Sequence, residues 1–373
     1  MTTQASLYDV SLMQAANMIR LNGARNTMLV QGHMGTGKSS LLKILAEMLP
    51  THRPVYFDCT TKDLGDLMIP KIQEATEGAG DCVRSLPHEE LGLHLDGPII
   101  LMIDEFGKAN PAVKLGVLRL MLERAQAGYR LHPDSIVFAT TNLGGEGVGD
   151  LLPAHARNRI TVVRMRKPTV EEHIEDYGIP YGMDPVIMAW EAENPQVFDS
   201  FENVANPDDN QFIFHPKATG RVSFVTPRSL EAASHWMKQR SHMSDHELTA
   251  ALVGSIGQAA ALNLSAYVKI ADQLPTLDSI KQDPDNAKLP TNKTAVMMVV
   301  HRTLQTLERN WTDAWMRYMA RLPREAQAMF ANAVRRAAEK SNGINKRLIE
   351  VNTNKRYQEW CMANNHVFAA DKK

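Results

Sequence analysis

Residues 31–40 read QGHMGTGKSS, and no other stretch narrows the possible folds so far. Gly32, four residues, then Gly37-Lys38-Ser39 satisfies G-x-x-x-x-G-K-[ST], the spacing of a phosphate loop. Glycines let the backbone curl so that successive N–H groups face inward as an anion nest. The candidate nest is Gly32, His33, Met34, Gly35, Thr36, Gly37, Lys38, Ser39 and Ser40. In that pattern Lys38 reaches the β- and γ-phosphates and the Ser39 hydroxyl holds Mg²⁺. A plain glycine turn with a solvated lysine would share the spacing, but the flanks favour the loop. Met28-Leu29-Val30 precedes it as a short apolar strand, and SSLLKILAEML follows with Leu41, Leu42, Leu45 and Leu49 on a helical stripe.

The alternation continues downstream. RPVYFDCTT reads as a strand ending in polar residues, GPIILMIDEFGKANP as a buried parallel strand closing on two acids, and DSIVFATTNLGG and ITVVRM as two more. AVKLGVLRLMLERAQAG is helical, with Val113, Val117, Leu118, Met121 and Leu122 along one side. DLGDLMIPKIQEATEGAG reads as a helix start followed by a glycine-bearing loop, and LYDVSLMQAANMIRLN as an amphipathic helix leading into the first strand. The expected fold class is therefore α/β. An N-terminal helix in 1–22 precedes a parallel-sheet nucleotide-binding domain at 23–167, covered by helices on both faces.

From Lys167-Pro168 the pattern turns helical, giving an expected lid domain at 168–275. The β-rich arms of QFIFHPKATGRVSF flank a Pro/Gly turn and predict a hairpin at about 211–224. Helices resume at TPRSLEAASHWMKQ and SDHELTAALVGSIGQAAALNLSAYVKIAD, and TLDSIKQDPDNAKLPTNK reads as a linker. A helical C-terminal extension covers 292–373, and a length of 373 residues suits two or three compact units.

Charge excludes little but guides much. The chain carries a net charge of −1, which argues against a protein held mainly by phosphate backbones. From Arg302 onward, however, fourteen lysines and arginines face seven acids, so a local basic surface or an ordinary solvated helix face both stay open. Three scattered cysteines without C-x-x-C spacing indicate neither a disulfide framework nor a zinc site. MTTQASLYDVSLMQ lacks a basic region followed by an apolar core, and TAVMMVVH is too short to span a bilayer. A reducing cytoplasm and no membrane role are the expectations.

Four further motifs carry chemistry. Asp104-Glu105 ends the run IILMI. A phosphate-loop ATPase needs a carboxylate at the tip of a buried strand, beside the first, for the Mg²⁺ shell, and a neighbouring glutamate to polarise the attacking water. An acid pair at a helix N-terminus is the bland alternative. Asn142 ends IVFATT, where an amide can orient that water without competing as a base, although an asparagine ahead of Gly144-Gly145 is also a common turn residue. Arg157 and Arg159 precede the last strand, and in a ring such arginines stabilise the phosphoryl group in the neighbouring subunit. Arg228, in Thr226-Pro227-Arg228, opens a helix of the second domain and would reach the γ-phosphate from the lid side.

With these elements in order the chain resembles AAA+ ATPases, and specifically the MoxR-type branch. GHMGTGKSS, DLGDLMIP, GPIILMIDEFGKANPAVKLGVLRLMLE, FATTN, LLPAHARNRI and TPR carry the resemblance, which covers about residues 10–270. It implies an αβα core, ATP and Mg²⁺ as cofactors, and a small insertion between Asp63 and His94. It also implies a metal site at Lys38, Ser39, Asp104 and Glu105, sensor 1 at Asn142, a finger at Arg159 and sensor 2 at Arg228. Gly107-Lys108 stands where the family usually has Asn-Arg, and Arg159-Ile160 where it usually has Arg-Phe. Arg157 therefore stays open as the finger.

The resemblance implies a homo-oligomeric ring, expected as a hexamer, that remodels or assembles a protein client, with a von Willebrand A-type protein as a family partner. A nucleic-acid motor or loader using the basic tail is the alternative, and an ATP-gated assembly scaffold is a third reading.

Overall fold

The computed structural model describes residues 8–75, 80–143, 152–271, 274–339 and 346–364. The chain divides into two compact units, Met1–Lys167 and Pro168–Lys373.

In the first unit the strands are, in chain order, β1 (Asp9–Val10), β2 (Thr27–Gly32), β3 (Arg53–Asp58), β4 (Met68–Gln73), β5 (Cys82–Pro87), β6 (Ile99–Asp104), β7 (Ala125–Gln126), β8 (Tyr129–Arg130), β9 (Ile136–Asn142) and β10 (Ile160–Met165). Six of them form one parallel sheet in the order β1-β10-β2-β9-β6-β3. Every residue of β2 and β6 is buried, which is why these strands read as unbroken apolar runs. Helices α1 (Leu12–Asn22), α2 (Ser40–Met48), α3 (Pro111–Glu123) and α4 (Ala154–Arg157) belong to the same unit. The inward stripe of α2 is Leu41, Ile44 and Leu45, with Leu42 and Leu49 only half-buried. The α/β class expected from the alternation is the one observed.

Local readings are corrected at four places. The carboxylate strand β6 is not beside β2, because β9 lies between them. Met68–Gln73, where a helix start is expected, is a strand instead: β4 and β5 pair as an antiparallel hairpin, from Met68↔Pro87 to Gln73↔Cys82. Pro70 breaks a helix interior, and the pairs Ile69↔Leu86 and Ile72↔Val83 supply β-formers instead. α3 stops at Glu123, because Arg124 turns left-handed at φ 55° and the chain folds back as the β7–β8 hairpin around Ala127-Gly128. At the N-terminal side a Ser11–Gln14 capping box starts α1 at Leu12, which leaves Asp9–Val10 extended to pair with β10.

The second unit is helical: α5 (Val170–His173), which continues as a π turn at Ile174–Gly178, α6 (Pro185–Glu193), α7 (Pro227–Lys238), α8 (Asp245–Ile256), α9 (Gln258–Ala271), α10 (Leu277–Gln282), α11 (Lys293–Thr306), α12 (Thr312–Met319), α13 (Arg324–Glu339), α14 (Lys346–Val351) and α15 (Lys355–Ala363). One hydrophobic core runs from Val170 to Tyr357. The two stretches that sequence separated, 168–275 and 292–373, thus share their packing.

The hairpin expected at 211–224 does not form, and no strand is present there. Val225 N donates to Phe212 O at 2.7 Å, but the Arg221 guanidinium takes the carbonyl of Ile213 at 2.8 Å, an acceptor a ladder would need, and also that of Pro207 ahead of the segment. Phe214 packs against Phe201 and Phe224 instead. The helix predicted through Ser244–Asp272 is broken at Gly257, whose φ of 86° suits glycine and whose Cβ position lies 2.5 Å from Ser223 O.

Candidate functional site

The phosphate loop joins β2 to α2. Gly35 and Gly37 adopt φ of 76° and 94°, open to glycine without strain. A Cβ on Gly32 would stand 2.9 Å from Met165 O and 3.0 Å from the Thr36 hydroxyl, so the loop is closed tightly at its base. Thr36 is buried and donates to His33 O at 3.0 Å, Met34 is exposed, and Ser39 and Ser40 lead into α2. Lys38 is 7% exposed and donates through Nζ to Gly32 O at 2.8 Å, His33 O at 2.9 Å and Asn142 Oδ1 at 2.9 Å. These are contacts an incoming phosphate would replace.

The sheet register delivers the other groups. Gly32 sits opposite Asn142 across β2 and β9, and Ile103 opposite Ala139 across β9 and β6. The carboxyl ends of three neighbouring strands therefore meet at one edge. Asn142 uses both ends of its amide: Oδ1 accepts from Lys38, while Nδ2 donates to Glu105 Oε1 at 2.8 Å and Oε2 at 3.0 Å. Glu105 is held at φ 52°, an unusual conformation for a non-glycine residue and one that concentrates at functional sites. Its Oε2 also lies 3.1 Å from Lys108 Nζ. The structure thus brings together Lys38, Asp104, Glu105 and Asn142, which are 104 residues apart at the extremes.

Asp104 is 8% exposed. Its Oδ1 accepts from the Thr140 hydroxyl and from Glu105 N at 3.0 Å, and its Oδ2 from the Tyr56 hydroxyl at 3.0 Å. Burial, then the Asp104 charge, hold the Tyr56 phenol far above its ordinary range, so it stays a donor. Sequence reasoning missed Tyr56 and Thr140. The available signal was period two: Tyr56 and Asp58 share one face of β3, beside the carboxylate strand.

Among the described residues no group of three or more His, Cys, Asp or Glu side chains could hold a metal. The donors at the loop are the Ser39 hydroxyl and the Asp104 carboxylate, few and hard. They fit a Mg²⁺ that arrives on phosphate oxygens and keeps most of its water, not one caged by protein.

The two arginines ahead of β10 differ. Arg157 donates through Nε to Leu152 O at 3.0 Å, across the short helix α4. Arg159 is exposed, and among the described residues its guanidinium makes no hydrogen bond or ion pair. Arg228 lies in the other unit, exposed on the first turn of α7, which a Thr226–Ser229 capping box and Pro227 begin. Gly144-Gly145 lies outside the described residues.

Residues 28–167 match the family model described as ATPase family associated with various cellular activities (AAA). The first unit carries an AAA-family ATPase domain. No curated protein matches the chain. Among solved structures, the Thermotoga maritima RuvB Holliday junction branch migration motor aligns at 18% identity over 74% of each chain, with a TM-score of 0.34. NtrX from Brucella abortus aligns at 15% identity over 98% of this chain and 68% of its own, with a TM-score of 0.31. A full-length MCM homologue from Methanopyrus kandleri aligns at 15% identity over 69% and 53%, with a TM-score of 0.27. Similarity at that level carries no functional argument, so function rests on the AAA domain and the site. Among the described residues no helix is long and apolar enough to cross a membrane.

Proposed function

We propose that this chain is a Mg²⁺-dependent ATPase of the MoxR type that works as a homo-oligomeric ring, most simply a hexamer, and remodels a protein client. The observation that carries the reading is the hydrogen-bonded chain from Lys38 through Asn142 to Glu105. It links the cation for the γ-phosphate to the carboxylate for the attacking water through one amide. In this reading Mg²⁺ supplies charge neutralisation on the β- and γ-oxygens. The loop N–H groups and Lys38 bind the phosphates, Ser39 and Asp104 orient the hydrated metal, and Glu105 takes the proton of water. Arg159, exposed ahead of β10, acts on the neighbouring subunit's nucleotide, and Arg228 acts from the helical unit.

A protein client is favoured over nucleic acid by the state of the basic tail. Arg317 pairs with Asp285, Arg336 with Glu175 at 2.8 Å, and Arg356 lies 3.8 Å from Asp313. These three of the tail's fourteen basic residues thus have an acidic partner within their own unit. A von Willebrand A-type protein is the partner class to test first.

Glu105→Gln tests the catalytic core. It should bind ATP as the parent does and turn it over at least roughly a hundredfold more slowly. Near-normal turnover would remove Glu105 as the base. Proteins retained on the ATP-loaded variant identify the client, and salt-sensitive retention of DNA or RNA instead would favour the motor alternative.

A further inference from the structure

We propose that Tyr56 is a positioning residue for the Asp104 carboxylate, fixing which oxygen that carboxylate offers to a divalent cation. The inference rests on the reading of Asp104 as the metal-shell acid.

The argument is a count of acceptor sites. An ionised carboxylate has about four lone-pair sites, two on each oxygen. Both sites on Oδ1 are engaged, one by the Thr140 hydroxyl and one by the backbone N–H of Glu105. On Oδ2 the Tyr56 hydroxyl fills one, at 3.0 Å. A single acceptor site remains, and it lies on Oδ2.

One directed site suits a metal-bound water and does not suit bidentate chelation. Mg²⁺ demands near-ideal octahedral geometry and gives up water reluctantly, so an angular error in its partner is costly. Donors on both oxygens oppose rotation of the carboxylate about its Cβ–Cγ bond. With Oδ1 alone held, the plane can swing, and the orientation of the last lone pair is lost. Tyr56 is able to serve because the parallel register of β3 and β6 sets Asp58 opposite Asp104, so the side chain two residues earlier reaches the same carboxyl end. It is 48% exposed, so removing its hydroxyl opens no cavity in the core.

The test is titration of the full chain with a fluorescent ATP analogue in EDTA and in graded Mg²⁺, for the parent, Tyr56→Phe, Asp104→Asn and the double variant. Tyr56→Phe should bind as the parent does in EDTA, yet need about tenfold more Mg²⁺ for half of the metal-dependent gain. That is the size expected for a hydrogen bond to a charged group. Asp104→Asn should lose more, and adding Tyr56→Phe to it should change nothing further, since both act through one carboxylate. Superimposable Mg²⁺ curves for parent and Tyr56→Phe overturn the proposal, as does full additivity in the double variant. An unaltered Mg²⁺ response in Asp104→Asn removes the reading of Asp104 itself, and the proposal falls with it. Absence of nucleotide binding by the parent removes the reading of the loop. The three failures are therefore distinguishable.

Discussion

The amide of Asn142 donates to both carboxylate oxygens of Glu105, at 2.8 and 3.0 Å, while its own oxygen accepts from Lys38. One residue at the end of strand β9 thus ties Glu105, the proposed base, to Lys38 of the phosphate loop. Replacing it by alanine should leave nucleotide binding within a few-fold and lower turnover by roughly a hundredfold, the usual loss for one positioned polar group. Equilibrium binding alongside steady-state turnover checks this, and unchanged turnover in Asn142→Ala would rule the residue out as the link.

Lys38→Ala should abolish tight ATP binding without unfolding the first unit. The ammonium's acceptors are the Gly32 and His33 carbonyls and the Asn142 amide oxygen, all at the rim of the loop and accessible to water once the side chain is gone. A normal circular dichroism spectrum with nucleotide affinity lost is the expected pair of results. Retained micromolar affinity would mean that the backbone nest alone holds the phosphates.

Arg159 and Arg157 are separable. Arg159→Ala should keep ATP binding and lose about 10³–10⁵ in rate, as for an arginine acting on the transferring phosphoryl group. Mixed with Lys38→Ala subunits, it should regain part of that activity, because some boundaries then pair an intact arginine with an intact loop. A co-assembled mixture that stays inactive transfers the role to Arg157, whose side chain reaches the Leu152 carbonyl within its own subunit.

A pH dependence of stability should be readable in the helical unit. His301 is buried with neither ring nitrogen hydrogen-bonded, and burial pulls its imidazole down to about 4. Unfolding frees it to bind a proton near its ordinary value of about 6.5. The unfolded chain therefore holds more protons between those limits, and stability falls as pH drops from about 6.5 to about 4, by up to roughly 3 kcal/mol. All five tryptophans lie in this unit, so their fluorescence during urea unfolding reports it directly. His301→Leu should flatten that slope, and an unchanged slope would place the proton uptake elsewhere.

Removing residues 292–373 should collapse the helical unit instead of trimming an appendage. Trp315, Tyr318, Phe330 and Tyr357 lie buried in the core that also contains Trp190 and Leu230. Truncating one such aromatic costs about 3–5 kcal/mol, and the deletion removes these four together with Trp311. Rapid proteolysis of 168–291 beside a resistant first unit is the expected pattern, whereas a protease-resistant shortened chain would count against a shared core.

The phosphate loop, the acid pair and Asn142 were legible in the sequence because each is a local pattern: a glycine spacing, or a polar residue closing an apolar run. Tyr56 and Thr140 were not, since their contact with Asp104 depends on which strands become neighbours. That β9 separates β2 from β6 is a property of the whole sheet. In DLGDLMIPKIQEATEGAG the apolar residues at 69 and 72 fit a three-residue helical spacing as well as cross-strand pairing, and Pro70 is the residue that opposes a helix there. The hairpin expected at 211–224 is absent for the opposite reason: its arms have strand propensity, but the Arg221 guanidinium takes the Ile213 carbonyl from any ladder. Propensity speaks for a segment alone, and here a side chain from within the segment overruled it.

The two-residue strand β1 has an effect out of proportion to its length. The carbonyls of Tyr8 and Val10 accept from Arg164 N at 3.1 Å and Arg166 N at 3.0 Å, so the Arg164–Met165 end of β10 is covered at the sheet's margin. A chain lacking Asp9 and Val10 would lose the strand paired with Arg164 and Met165 and lengthen the open edge of β10, whose Ile160–Met165 run is rich in β-branched residues. Asp9 and Val10 thereby shorten the open edge of β10, the kind of edge along which another chain can pair.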